Sequence, residues 1–232
     1  MVINSKTDNR KYHIFFFIFF NSVSFGQFWR FGSAYEFLYN EDWNKATQLY
    51  NTARPFLENK QRLVEHGINL NVAHYGKLKQ SERKFISANY SFYEVKTINP
   101  FLITRVAMHM LLIDYNLKSS DWWIDHPLYF SYGAGIRTNV TTRNILDDPI
   151  TDEAYPMYSG GIGLEMNVSA SYDFKMTSGL FISPFLKCSL SPLYFSPTAE
   201  KTLALTQGMS TSKWSNMVVF QLGMQVAWPE KN

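Results

Sequence analysis

The sequence predicts an all-β protein, a closed antiparallel transmembrane β-barrel of about eight strands, and three observations point there. The run VVFQLGMQVAW at 218–228 alternates strictly, with Phe220, Leu222, Met224, Val226 and Trp228 on one side and Gln221, Gly223, Gln225 and Ala227 on the other. Successive side chains of a strand face opposite sides, so this run has one wholly apolar face and one polar, small face. Seven further runs share that period. Aromatic residues make up 17% of the chain and charged residues 18%, below the roughly 25% charged of soluble domains. Mean hydropathy is nevertheless −0.20, and no run reaches the about 18 apolar residues of a spanning helix. Alternating strands reconcile these facts, because their polar half masks the lipid-facing half in any averaged scale.

The N-terminus reads as a cleaved signal peptide over 1–26, leaving one barrel domain over 27–232. Lys6, Arg10 and Lys11 form a positive n-region, HIFFFIFF at 13–20 a short apolar core, and Ser24 and Gly26 the small residues of a cleavage site before Gln27. That apolar run is too short to span a bilayer. Losing Lys6, Asp8, Arg10 and Lys11 lowers the formal net charge from +3 to about +1, which carries no electrostatic footprint for nucleic acid. Cys188 is the only cysteine, so no intramolecular disulfide or thiolate metal cluster forms. No cysteine lies near the cleavage site, which argues against a lipid-anchored lipoprotein.

The strands follow in order. Residues 28–37 set Trp29, Phe31, Tyr35 and Phe37 against Arg30, Gly32, Ala34 and Glu36. The stretch 40–57 then leaves period two: Asn40 is placed to cap a helix, Glu41 and Asp42 suit its first turn, and Trp43, Ala46, Tyr50 and Ala53 recur at helical spacing up to Pro55. A short amphipathic helix covering the barrel rim, or lying at the interface, is expected there. Residues 68–73 set Ile68, Leu70 and Val72 against Asn69, Asn71 and Ala73, and 85–93 set Ile86, Ala88, Tyr90 and Phe92 against Ser87, Asn89 and Ser91. In 104–112, Val106, Met108, Met110 and Leu112 read as the lipid face and Arg105, Ala107 and His109 as the lumen face. Residues 128–137, 161–174 and 180–190 complete the set, the last interrupted by Pro184, which cannot donate to a ladder and so suggests a bulge.

With the first strand entering from the side of the termini, connections fall near 76–82, 118–126 and 175–179 on that side. On the far side they fall near 40–60, 96–100, 140–157 and 195–213. Three of the four far loops are then long and every near turn is short, as in outer-membrane barrels.

At QLGMQVAW (221–228), Gln221, Gly223, Val226 and Trp228 resemble the C-terminal signal read by the barrel-assembly machinery, although PEKN follows where the aromatic residue usually closes the chain. The mature region resembles the small eight-stranded outer-membrane barrels of the OmpA and OmpX type. That resemblance implies the outer membrane of a Gram-negative bacterium, both termini in the periplasm, and contact with outer-membrane lipid, lipopolysaccharide and the assembly machinery. Another envelope protein is a further candidate partner. No motif carries functional residues over.

The lumen parity collects Arg30, Glu36, Arg105, His109, Arg137, Glu165, Asp173 and Lys187. Eight strands enclose an interior just wide enough for side chains to fill, and buried charges must pair, so a salt-bridged plug is expected, with a narrow solute path as the alternative. Trp29, Trp122, Trp123, Trp214 and Trp228 suit the aromatic girdle of a membrane interface. His66, His74 and His126 are the histidines a lipid-modifying enzyme would need, but no serine partner is spaced for them, and no catalytic residue is assigned. The acidic stretch 147–153 lacks the glycine and spacing of a calcium loop. No metal or cofactor is expected. The function expected is a structural or surface-interaction barrel, the alternatives being a narrow channel or an enzyme acting on lipid A or phospholipid acyl chains.

Overall fold

The computed structural model describes residues 28–53, 55–75, 84–100, 102–119, 127–146, 154–177, 179–195 and 214–227. Its strands are β1 (Phe28–Asn40), β2 (His66–Tyr75), β3 (Lys84–Asn99), β4 (Leu102–Ser119), β5 (Leu128–Leu146), β6 (Ala154–Tyr172), the two-residue β7 (Phe174–Lys175), β8 (Phe181–Phe195) and β9 (Trp214–Ala227). One helix, α1 (Glu41–Ala53), follows β1. Every neighbouring pair is antiparallel, β1 pairs with β9, and β6 pairs with β8, so eight long strands close into a ring. Each long strand therefore has a hydrogen-bonded neighbour on both sides. The leader at 1–26, Trp122, Trp123, His126, Trp228 and the acidic stretch 147–153 lie outside the described residues.

The period-two pattern sorts the side chains by face. Phe31, Tyr35, Phe37, Ile68, Leu70, Ile113, Tyr132, Leu164, Leu186, Phe220 and Leu222 all project outward and stand exposed. Small and polar residues of opposite parity, such as Asn69, Asn89, Ser131, Asn167 and Ser189, are buried inside. This inverts a soluble protein, in which contiguous exposed apolar surface is rare.

β4 reverses the expected assignment. Val106, Met108, Met110 and Leu112 are almost wholly buried in the lumen, while Arg105 and His109 face outward. The reason lies beyond Leu112, because the strand runs on to Ser119 and carries Asp114 and Asn116 on the same parity as those methionines. Asp114 is 1% exposed and its carboxylate takes a hydrogen bond from Lys187. A one-residue slip would turn that carboxylate to the outer wall.

Two boundary expectations also change. β5 and β6 pair through Leu146 and Ala154, so residues expected in a long loop at 140–157 are strand, leaving only 147–153 as the connection. The long far-side connections are then 41–65 and 196–213 alone. Pro184 causes no register shift. It pairs with Met224 of β9, and on its other side the ladder is broken between Ser171–Phe185 and Phe174–Ile182, where no donor is required. The irregularity on β8 falls instead between Ser191 and Tyr194.

α1 behaves as its sequence predicts. The Asn40 side-chain oxygen accepts the Trp43 N–H at 3.1 Å, a helix N-cap. Asn51 and Gln61 exchange two hydrogen bonds of 2.9 and 2.8 Å, tying the returning chain to the helix. Lys45 beside Glu41, and Asn216 beyond it, hold the Glu41 carboxyl below its ordinary range.

The placement of β4 is open to a direct test. Met108→Ala, at a fully buried position, should lower unfolding stability in detergent micelles by about 2–5 kcal/mol. Met166→Ala, at a position 58% exposed on the outer wall, should stay within about 1 kcal/mol of the parent. Urea titration of both variants checks the difference.

Candidate functional site

The lumen gathers the buried ionisable side chains, and it is stratified. At the end that holds the termini, Arg30 of β1 lies inside the ring and reaches Asp173, just after β6. Its two terminal nitrogens donate to the two Asp173 oxygens at 2.8 and 2.7 Å, a bidentate fork. Arg30 also donates to Tyr129 at 2.6 Å and to Ser183 at 2.9 Å, and lies 5.1 Å from the centroid of the Tyr75 ring. Ser183 in turn donates to Asp173 at 2.5 Å, and the Lys118 ammonium sits 3.9 Å from the centroid of the Tyr129 ring. Four strands and the segment after β6 thus meet at one guanidinium.

Above this clasp is a polar layer with a cavity of about 30 Å³, room for one or two waters. Asn71, Ser87, Asn116, Asn167, Ser169 and Gln225 are among its lining residues. Next comes the ionic centre. Asp114 accepts from Lys187 at 2.5 Å, Asn116 at 2.9 Å, Asn167 at 3.1 Å and the Ser87 hydroxyl. Arg137 pairs with Glu165 through its Nε and donates to the Met110 sulfur at 3.3 Å. Glu36 accepts from the Tyr93 hydroxyl at 2.5 Å and from the Gln221 amide. Glu36, Asp114, Arg137 and Glu165 are each at most 1% exposed, so these bonds are what makes their burial tolerable.

The loop-side half of the lumen holds an apolar cluster among buried threonines and asparagines such as Thr104, Asn139 and Thr141. Leu38, Val64, Tyr93, Val106, Met108, Met110, Tyr194, Met217 and Val219 form one buried cluster, with Trp43 of α1 packed on it from above. Glycines opposite make space: a Cβ on Gly161 would overlap the Tyr194 hydroxyl, which donates to Asn139. Apart from that small cavity, side chains of the described residues therefore fill the interior, and the helix caps its outermost level.

Of the residues assigned to the lumen from sequence, Arg30, Glu36, Arg137, Glu165 and Lys187 lie inside and Asp173 lies at its terminal mouth. Arg105 and His109 do not; they sit on the outer wall for the parity reason given above. Asp114, Tyr93, Tyr75, Tyr129 and the apolar plug were missed. Asp114 was findable, since extending β4 by one alternation exposes the conflict between Met108 and Asp114. Gln221, read as an assembly residue, is buried beside Glu36; a Cβ on Gly223 would lie 2.5 Å from the Ser33 carbonyl; and Val226 faces outward opposite Phe31. Trp29 packs on the outer wall against His74, the rings tilted with centroids 4.5 Å apart, and Trp214 is exposed at the loop end. His66 lies among Tyr35 and Phe37. Among the described residues, no three His, Cys, Asp or Glu side chains gather as a metal site.

No known family's sequence profile matches the chain, and no curated protein matches it. Solved structures do. A major outer membrane protein from Thermus thermophilus shares 12% identity at a TM-score of 0.50, covering 87% of this chain and 98% of that one. Neisserial surface protein A shares 9% identity at 0.46 over 87% and 96%. The attachment invasion locus protein of Yersinia pestis, solved with a heparin analogue, shares 7% at 0.45 over 88% and 99%. The likeness to the Thermus protein is one of fold: a closed antiparallel barrel of the outer-membrane kind.

The ionic centre yields a clear expectation. Asp114→Ala strands the Lys187 charge inside the lumen and should cost about 3–5 kcal/mol. Asp114→Ala combined with Lys187→Met removes both charges and should recover most of that loss. Unfolding midpoints of the two variants in one detergent check it.

Proposed function

We propose that this chain is an integral protein of the Gram-negative outer membrane that acts through its surface and loops, as a structural or partner-interaction barrel. The observation that carries the reading is the inverted distribution of side chains, with an apolar belt outside and the charges inside. A belt of that kind needs a hydrocarbon surrounding. The fold likeness to the Thermus outer membrane protein supports the same environment. In this reading lipid and lipopolysaccharide cover the belt, and the termini, which leave β1 and β9 at one end, lie in the periplasm. The 41–65 and 196–213 connections then face the exterior, where a partner would meet them. The amphipathic β9 is the element the assembly machinery would pair with during insertion.

A filled lumen makes a scaffold or interaction role a better fit than transport. Opening a path would require displacing the apolar cluster under α1 as well as separating Arg137 from Glu165. The narrow-channel reading keeps one observation in its favour, the polar cavity of about 30 Å³ below the ionic centre. For an enzyme acting on lipid, His66 and His74 supply only outward rings packed against aromatic side chains.

Two measurements test the proposal. Detergent-extracted protein should migrate differently on SDS gels before and after heating, since a closed barrel resists denaturation. A water-soluble protein without that shift would refute the membrane reading. In planar bilayers the folded protein should give no steady conductance. Sustained openings that disappear in the Glu165→Gln variant would replace the plugged scaffold with a channel.

A further inference from the structure

Outward-facing charge is confined to a few places on this barrel. Among the described residues that face outward from the eight long strands, the Lys, Arg, Asp and Glu side chains are Lys84, near the termini, and Glu94, Lys96 and Arg105. The last three share the β3–β4 hairpin at the loop end. Register makes their grouping unusual, because Lys96 and Arg105 are direct cross-strand partners. Like charges directly opposite one another destabilise a sheet unless something neutralises them.

Glu94 neutralises only one of them. It receives the Arg105 Nε–H at 2.8 Å and an Nη2–H at 3.2 Å, which leaves the Nη1 side of the guanidinium directed elsewhere. Lys96 has no ion pair among the described residues, and the Arg105 side chain is 52% exposed. Immediately below this triad the outer wall turns aromatic and then aliphatic. Tyr90 and His109 are joined at 2.7 Å, Phe92 lies 5.0 Å from the His109 ring, and Leu111, Ile113 and Ile136 follow.

We propose that the Lys96–Arg105 pair binds the phosphorylated headgroup of a lipid A molecule whose acyl chains lie on the wall beneath it. This rests on the outer-membrane reading above. The chemistry is complementary on both counts. Lys96 supplies a point charge and Arg105 a planar donor edge suited to phosphate oxygens, while the wall from Phe92 to Ile113 supplies the apolar track. Glu94 holds Arg105 in orientation and competes with the phosphate for it, so it tunes the affinity downward.

The test uses the full chain folded in dodecyl maltoside, with the heat-dependent gel shift as the check on barrel closure, and native mass spectrometry to count bound lipid. Diphosphoryl lipid A should bind about fivefold or more tighter than the same lipid stripped of its phosphates, the factor for one basic residue at an anionic surface. Lys96→Gln keeps the Glu94–Arg105 fork and should weaken binding about fivefold. Glu94→Gln should tighten it, and Lys84→Gln, at the other end of β3, should leave it unchanged. Equal affinity for the two lipids, or a Lys96→Gln protein that binds like the parent, would overturn the site while leaving the membrane reading standing. A parent protein that stays soluble without detergent and lacks the gel shift would overturn both.

Discussion

Closing the ring of backbone hydrogen bonds is the constraint on which this architecture depends. In a hydrocarbon surrounding, an unpaired N–H or C=O costs several kcal/mol, so β1 must meet β9 and β6 must meet β8. Closure couples the strands, because each register is held from both sides and a slip of one residue in any strand would turn its lumen-facing side chains outward. The two-residue β7 and the break at Asp173 show where the ring tolerates an exception. There Pro184, which has no N–H to offer, faces the gap.

Within that ring, the interior divides by chemistry. The terminal and central levels hold Arg30, Asp173, Asp114, Lys187, Arg137, Glu165 and Glu36, held by hydrogen bonds that mostly cross the lumen between non-adjacent strands. The loop-side half is closed by Met108, Tyr194, Val219 and their neighbours, with α1 above them. Burying apolar side chains in the lumen contributes hydrophobic stabilisation that an outer wall set in lipid, as proposed here, would not supply. An ionic lower half fixes register, since each carboxylate finds its donors only when the strands stand in this alignment. A filled interior follows from both halves, and that directs attention to the outer wall and the loops as the working surfaces.

Most of the fold was legible in the sequence. Period-two alternation located the eight long strands, the Asn40 cap and the helical spacing after it placed α1, and seven strands took the correct face. For β4 the cue was misleading. Met108, Met110 and Leu112 look like a lipid face when the strand is cut at 112, and hydrophobicity alone cannot distinguish a lipid wall from an apolar plug. The clasp at Arg30 was only partly legible. Arg30 and Asp173 share the lumen parity, but Tyr75 and Tyr129 carry no mark that separates an inward tyrosine from a girdle tyrosine.

By itself, then, the sequence determined the period, the helix, and the existence of one apolar and one polar face, because these depend on neighbours within a few residues. Tertiary structure decided which face of β4 turns inward, which charges pair, and how far β5 and β6 extend past the expected loop. Those outcomes depend on partners that are distant in the chain: Asp114 and Lys187 lie 73 residues apart, and Arg30 and Asp173 lie 143 apart. A carboxylate such as Asp114 chooses its side only when Lys187 is there to meet it, and no local pattern encodes that meeting.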